Sequence, residues 1–194
     1  LQGHHLARHS GEQAQNELFP PLRMTVLETA RLRLRHLTPE DAPFILGLLN
    51  EPSWPHFIGD RGVRTLEDAR RYIENGPMAM YARHGFGLYL MALKDGGMPI
   101  GLCGLLRRAG LDDVDIGFAL LPAYWSHGYA FEAAAAVLAH ARDVLGLPRV
   151  VAITTPDNEA SARLLEKLGF GLERTITLPH DPQPLRLFSL TWPA

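Results

Sequence analysis

From Leu27 onward the chain alternates apolar and basic positions, with Leu32 and Leu34 set between Arg31, Arg33 and Arg35, the period-two pattern of a half-buried strand. Thr38, Pro39, Glu40 and Asp41 then supply an N-cap, a proline at the first helical position and two early acids, which predicts a helix through about Leu49. Trp54–Gly59 reads as an aromatic loop. Thr65–Asp68 opens a second helix, on which Ala69, Tyr72 and Ile73 can share a face. Phe86–Leu93 and Met98–Leu106 are apolar runs joined by Lys94-Asp95-Gly96-Gly97, where Asp-Gly is a strong hairpin signal. A third run, Val114–Leu121, stops at Pro122. Gly128 begins a helix with Ala130, Ala133, Ala134, Val137, Leu138, Ala141, Val144 and Leu145 at helical spacing, ending near Gly146 and Pro148. Val150–Ile153 is a short buried strand of β-branched character. Asp157 and Asn158 cap another helix, with Leu164, Leu165 and Leu168 on its face and Gly169 at its end. Two final strands, around Leu172–Leu178 and Leu185–Trp192, flank a loop containing Pro179, Pro182 and Pro184.

The unit 114–121, 128–145, 150–153 is strand, helix, strand, which implies a parallel pair with a crossover beside antiparallel neighbours. The fold class is therefore mixed α/β. Residues Leu1–Arg23 carry His4, His5 and His9 among polar residues with no periodicity. With Met24 following, they read as a flexible N-terminal arm or a cloning remnant, leaving 24–194 as a single domain.

Composition narrows the classes. In 194 residues there are 19 Lys plus Arg against 21 Asp plus Glu, a net charge of −2 that argues against a nonspecific nucleic-acid or polybasic membrane binder. A hydrophobic share of 46% and a charged share of 21% are those of a globular chain. Cys103 is the single cysteine, so an intrachain disulfide and a thiolate metal cluster are both excluded. No apolar run approaches the ~18 residues of a membrane span, and no secretion signal is seen at the start, so a cytoplasmic location is expected. No His-Glu-x-x-His motif occurs among the nine histidines, and no metal is expected.

The junction Trp125-Ser126-His127-Gly128-Tyr129-Ala130 lies between a strand and an alanine-rich helix. Unpaired amides at such a helix start attract an anion such as a pyrophosphate, and Gly128 and Ala130 let it approach closely. Small residues there also serve close helix–sheet packing, and both readings stand on this segment alone. Asp115–Phe118 through Pro122, with Trp125–Ala133, resembles the acetyl-CoA-binding motif of the GNAT N-acetyltransferases. Asn158–Phe170 resembles the family's next motif, particularly in its RimJ/RimL-like branch, and Leu27–Arg35 is similar to that branch's first strand. The resemblance covers nearly all of Leu27–Trp192.

It implies a central, mostly antiparallel sheet with one parallel pair splayed around the cofactor and helices on both faces. It also implies transfer of acetyl from acetyl-CoA directly to a primary amine, in a ternary complex. Backbone of Phe118, Ala119 and Leu120 is then expected on the pantetheine amides, amides of Ser126, His127, Gly128, Tyr129 and Ala130 on the pyrophosphate, and the Asn158 side chain on the pantetheine or its acetyl end. Ser161 is one turn on, on the same helix face. Many GNAT enzymes place a tyrosine four residues before the Gly-Phe pair to protonate the leaving thiolate. That position is Leu165 here, and the resembled branch gives the task to Ser161. Asp115 is the candidate base, sharing a strand face with Asp113 and Gly117; a solvated strand-end acid is the alternative.

Cys103 reads as a packed core thiol. Trp54, His56 and Phe57 read either as an acceptor-pocket lining or as a loop packed on the core. The acceptor is a protein N-terminal α-amine or a small-molecule amine, and exposed sheet edges leave a homodimer open. The absent tyrosine keeps a rival in view, a non-catalytic acyl-CoA-binding regulatory module.

Overall fold

The computed structural model describes residues 25–53, 59–179 and 181–193. The arm expected over 1–23 and the aromatic residues Trp54, His56 and Phe57 lie outside the described residues. Eight strands form one open sheet in the order β1-β2-β3-β4-β5-β6-β8-β7. They are β1 Thr25–Glu28, β2 Leu32–Arg35, β3 Leu88–Leu93, β4 Pro99–Leu106, β5 Asp115–Leu120, β6 Arg149–Thr154, β7 Gly171–Leu178 and β8 Asp181–Thr191. Every neighbouring pair is antiparallel except β5–β6. The helices are α1 Ala42–Leu49, α2 Leu66–Ile73, α3 Ala79–His84, α4 Tyr129–Asp143 and α5 Glu159–Lys167.

Local chemistry accounts for most boundaries. Thr65 caps α2 by accepting from the Asp68 amide, and the Asp68 carboxylate returns the bond in a capping box. The β3–β4 hairpin turns at Gly96 and Gly97, with φ of 74° and 66° that a side chain resists. One core lies between α4 and the sheet, where Ala134, Val137 and Leu138 meet Leu34, Met91 and Cys103. The other lies on the opposite face, where Ile45, Leu48 and Ile73 of α1 and α2 cover Leu90 and Leu102. Helices thus cover both faces, and each fully buried leucine contributes about 1.5–3 kcal/mol.

Three expectations are revised. The single first strand is two, because Thr29 turns the chain: its N–H donates to the Leu32 carbonyl at 2.9 Å and its Oγ1 accepts from the Leu32 amide at 2.9 Å. Pro182 and Pro184 belong to β8, not to a loop. This end of β8 runs beyond β6, whose pairing stops at Thr154↔Arg186, so a missing N–H is tolerated on the free edge. Val144 is 69% exposed because α4 ends at Asp143, before the apolar stripe closes. Beyond α2, for which the sequence set no end, a π turn over Glu74–Met78 carries the chain past Pro77 into α3, which Gly85 ends at φ 75°.

Candidate active site

The site begins where the one parallel pair comes apart. β5 and β6 are in register only at Asp115↔Val151, with the Val151 amide bonded to the Val114 carbonyl at 2.9 Å. Beyond that point β5 stays on β4 as far as Leu120, and β6 stays on β8 as far as Thr154. The two inner edges diverge and leave main-chain groups without a ladder partner across the gap. A cleft of about 830 Å³ occupies the opening. Side chains alternate along β5, so Ile116 and Phe118 line it from the α4 face and Asp115, Gly117 and Ala119 from the α2 face. The cleft therefore runs through the sheet.

Of the residues singled out in the sequence, Asp115, Phe118, Ala119, Asn158 and Ser161 line this one cleft. Leu120 does not, and its carbonyl accepts from the Trp125 indole Nε1 at 3.0 Å. Ser126–Ala130 lie outside the lining, at the start of α4. There Ser126 and Gly128 take left-handed conformations, with φ of 62° and 79°. The first rung of α4 is the Glu132 amide to the Gly128 carbonyl, 3.0 Å. The amides just before it precede the helical ladder, and the left-handed Gly128 followed by helical Tyr129 turns them to one side, a geometry suited to an anion.

A clamp that sequence reasoning missed secures this loop. Glu132 accepts from Thr29 Oγ1 at 2.5 Å, from the Arg31 amide at 2.8 Å and from Arg31 Nε at 2.7 Å. Arg31 Nη1 reaches the His127 carbonyl at 3.0 Å, and its guanidinium lies 4.3 Å over the Tyr129 ring. The β1–β2 turn, the loop and the first turn of α4 are thus one unit. Burial pushes the Glu132 carboxyl up, but its hydrogen bonds from Thr29 and Arg31 prevail and hold it below its ordinary value.

On the β6 side, Asn158 caps α5: its Oδ1 accepts from the Ser161 amide at 3.1 Å, which leaves its Nδ2 to donate elsewhere. Ser161 is half-buried. Leu165 is fully buried and lines the cleft, so no proton donor occupies that position. Thr154 and Thr155, at the end of β6, line the cleft with buried hydroxyls that have no partner among the described residues. They were not singled out in the sequence, where the strand is expected to stop at Ile153.

Asp115 is 1% exposed, not a solvated strand-end acid. Arg108 donates to its Oδ2 from Nε at 3.2 Å, with Nη2 in ion-pair contact at 3.2 Å, and its Oδ1 has no partner among the described residues. Burial pushes the Asp115 carboxyl up, with Arg108 opposing. Asp113 takes no part: it precedes β5 and pairs with Arg149 Nε at 2.9 Å. Tyr72 of α2, Arg61, and Gly76 and Pro77 of the π turn complete this wall. Burial raises the Tyr72 phenol, while Arg61 and Arg108 act in the opposite direction.

A family model for the acetyltransferase (GNAT) domain matches residues 31–171. The chain belongs to the GNAT acetyltransferase family. It is 32% identical over 153 residues to the uncharacterized N-acetyltransferase YoaA of Bacillus subtilis, covering 76% of this chain and 84% of that protein. An acetyltransferase from Agrobacterium tumefaciens shares its fold at a TM-score of 0.73 and 26% identity, over 90% of this chain and 99% of that one. RimL, a ribosomal L7/L12 α-N-protein acetyltransferase solved with coenzyme A, matches at 0.74 and 18% identity, over 86% and 97%, a likeness of fold alone.

This GNAT chain is thus an acetyltransferase enzyme on a mixed α/β sheet, and enzymes of its fold use acetyl-CoA. Its own residues fit that molecule. The open β5 edge offers main-chain partners for amides, the Thr154 and Thr155 hydroxyls and Asn158 Nδ2 supply polar contacts, and the start of α4 suits phosphates.

Proposed function

We propose that this GNAT acetyltransferase moves acetyl from acetyl-CoA directly to a primary amine, a protein N-terminal α-amine or a small-molecule amine, in a ternary complex. The observation that carries the reading is the parting of β5 and β6, which opens a cleft through the sheet with a buried, half-paired carboxylate on one wall and a capped helix end on the other. Phe118 and Ala119 backbone and the Asn158 amide orient the pantetheine arm, and the amides of Ser126–Ala130 hold the pyrophosphate. The Leu120 amide joins them only if its strand end opens toward the cleft.

Acetyl-CoA supplies an activated thioester carbonyl. As the amine nitrogen bonds to the acyl carbon and the C–S bond breaks, one amine proton passes to Asp115, directly or through one water, and on to solvent. A carboxyl that burial has pushed up accepts a proton more readily than a surface aspartate. Ser161 delivers a proton to the departing sulfur and recovers one from solvent; with a thiol pKa near 8.5, the demand on this acid is small. The demand on the base depends on the acceptor. A lysine amine near 10.4 needs far more help at neutral pH than an α-amine near 7.7–8.0.

The first test is the melting temperature with and without saturating acetyl-CoA. At about 100 times the dissociation constant, linkage contributes roughly 2.7 kcal/mol. For a chain of this length that is a rise on the order of 5–11 °C. No rise at millimolar ligand refutes the donor assignment. Binding without thiol release across a broad amine panel favours the regulatory-module reading instead.

A further inference from the structure

The wall that carries Asp115 holds two guanidiniums, Arg61 and Arg108, whose hydrogen-bonding capacity is only partly used. Arg108 gives Nε to Asp115 Oδ2, with Nη2 in ion-pair contact, which leaves the N–H groups of Nη1 to donate. Arg61 lines the same wall, is exposed, and makes no ion pair with any described residue. The adjacent acid does not neutralise it, because Asp60 pairs with Arg64 at 2.5 Å and accepts from the Gly62 amide. Both guanidiniums line the cleft together with Tyr72, and both act electrostatically on its phenol. Asp181, in the turn that packs against Gly110, also lines the cleft and accepts from the Gln183 amide at 3.0 Å. The two cations thus share the lining with two carboxylates: Asp115, which Arg108 pairs and whose buried Oδ1 has no donor among the described residues, and Asp181; Arg61 is the cation left without an ion pair among them.

On the reading that this cleft transfers acetyl, we infer that the acceptor is an amine with an anionic group a few bonds from the nitrogen, its amine held toward Asp115 and its anion by Arg61 and Arg108. An amino acid has this form, and so does a peptide whose first residue is acidic. A polyamine or a lysine-rich peptide does not, because it brings further positive charge against two guanidiniums. Planar guanidinium forks suit a carboxylate or phosphate, and the arrangement separates the two charges of a zwitterion onto opposite partners.

The test is a thiol-release assay of the full chain on matched acceptors, with rates expressed per free amine: alanine against alaninamide, Glu-Ala-amide against Gln-Ala-amide, and spermidine as the polycation. The acidic member of at least one pair is expected to have a kcat/KM at least tenfold higher, carried by KM. The pair that shows it tells a free amino acid from a peptide. Arg61→Glu is expected to bring that ratio close to one, Arg61→Lys to retain most of it, and acetyl-CoA to raise the melting temperature of both variants as it does the parent's. Equal or better use of the neutral members or of spermidine overturns the inference and leaves the acetyl-transfer reading standing. So does a preference for acids that Arg61→Glu leaves untouched. Failure of acetyl-CoA to shift the parent's melting temperature brings down the underlying reading as well.

Discussion

Asp115→Asn separates catalysis from stability at a single buried atom. The carboxyl is 1% exposed and its ordinary value is raised by burial, so the fold favours its protonated form. The sign follows. An acid with a raised folded-state pKa contributes stability that is full below its unfolded value, about 3.9, and that is lost as pH rises through the folded value. Above its folded value the ionised Asp115 is therefore a net cost. Asparagine removes that cost at the loss of one hydrogen bond and one ion-pair contact from Arg108, whose side chain is 27% exposed and regains water. The melting temperature at pH 8 is expected to move down by less than the ~2–4 °C that 1 kcal/mol produces in a chain of this size, or to rise. The variant is expected to gain on the parent as pH rises from about 3.9 through the folded value. Activity goes the other way. Loss of a general base lowers kcat/KM by about 10²–10⁴-fold, or roughly 2.7–5.4 kcal/mol of barrier. The deficit is greatest toward the acidic end of the range where Asp115 is ionised, and it shrinks as pH approaches the acceptor's own pKa. Thermal melts and pH–rate profiles of the two proteins measure both effects. Parallel pH–rate profiles would remove Asp115 from the chemistry, and a fall of more than about 8 °C at pH 8 would make it a structural residue.

Glu132→Ala is expected to cost about 1–2 kcal/mol, discounted for the 46% exposure of Arg31, and to lower the melting temperature by about 2–8 °C; calorimetry checks it. Because the Glu132 carboxyl is held low, this contribution is present above about pH 4.3 and is lost as pH falls through the folded value, so parent and variant converge in acid. Asn158→Asp keeps an oxygen to cap α5 but removes the Nδ2 donor, so KM for acetyl-CoA is expected to rise several-fold with little change in stability, whereas Asn158→Ala also loses about 1 kcal/mol of capping. Cys103 is fully buried and its thiol is pushed up by burial, so a disulfide reagent is expected to leave it unmodified in the native protein and to titrate one thiol on unfolding.

Legibility in the sequence followed the reach of the forces involved. The β3–β4 hairpin, the start of α2 at Thr65 and the Asn158 cap were readable because the deciding bonds join residues three to five apart. The motif residues Asp115, Phe118, Asn158 and Ser161 were readable through resemblance, and the structure gathers them at one cleft. The π turn was not readable. A proline ordinarily ends a helix because it cannot donate to the carbonyl four residues back, and only the wider turn over Glu74–Met78 lets the chain continue past Pro77. Arg61, Tyr72 and Arg108 carry no shared spacing, since the fold brings together a loop, a helix and a strand connection. The Glu132 clamp spans about a hundred residues, and nothing in the segment around Thr29 or around Glu132 announces the other.

The cleft itself follows from a competition between partners that strand patterning does not express. Val150–Ile153 reads as a buried strand, yet burial is supplied by β8 on one edge and by α5 above, and the other edge is free after Val151. A strand held on one side only can diverge from its parallel neighbour without losing its core contacts, and this makes an opening through the sheet tolerable. Donor and acceptor can then approach the same point from opposite faces, which direct transfer requires. An acyl-enzyme route asks for a nucleophile at that point. The single cysteine, Cys103, stands instead on β4 in the core under α4, separated from the β5–β6 gap by β5 and outside the lining of the cleft. Substitution of Cys103 by alanine is accordingly expected to leave kcat within about twofold of the parent once the ~1–2 kcal/mol of lost packing is allowed for by assaying well below the melting temperature; loss of turnover with the fold intact would return a thiol intermediate to consideration.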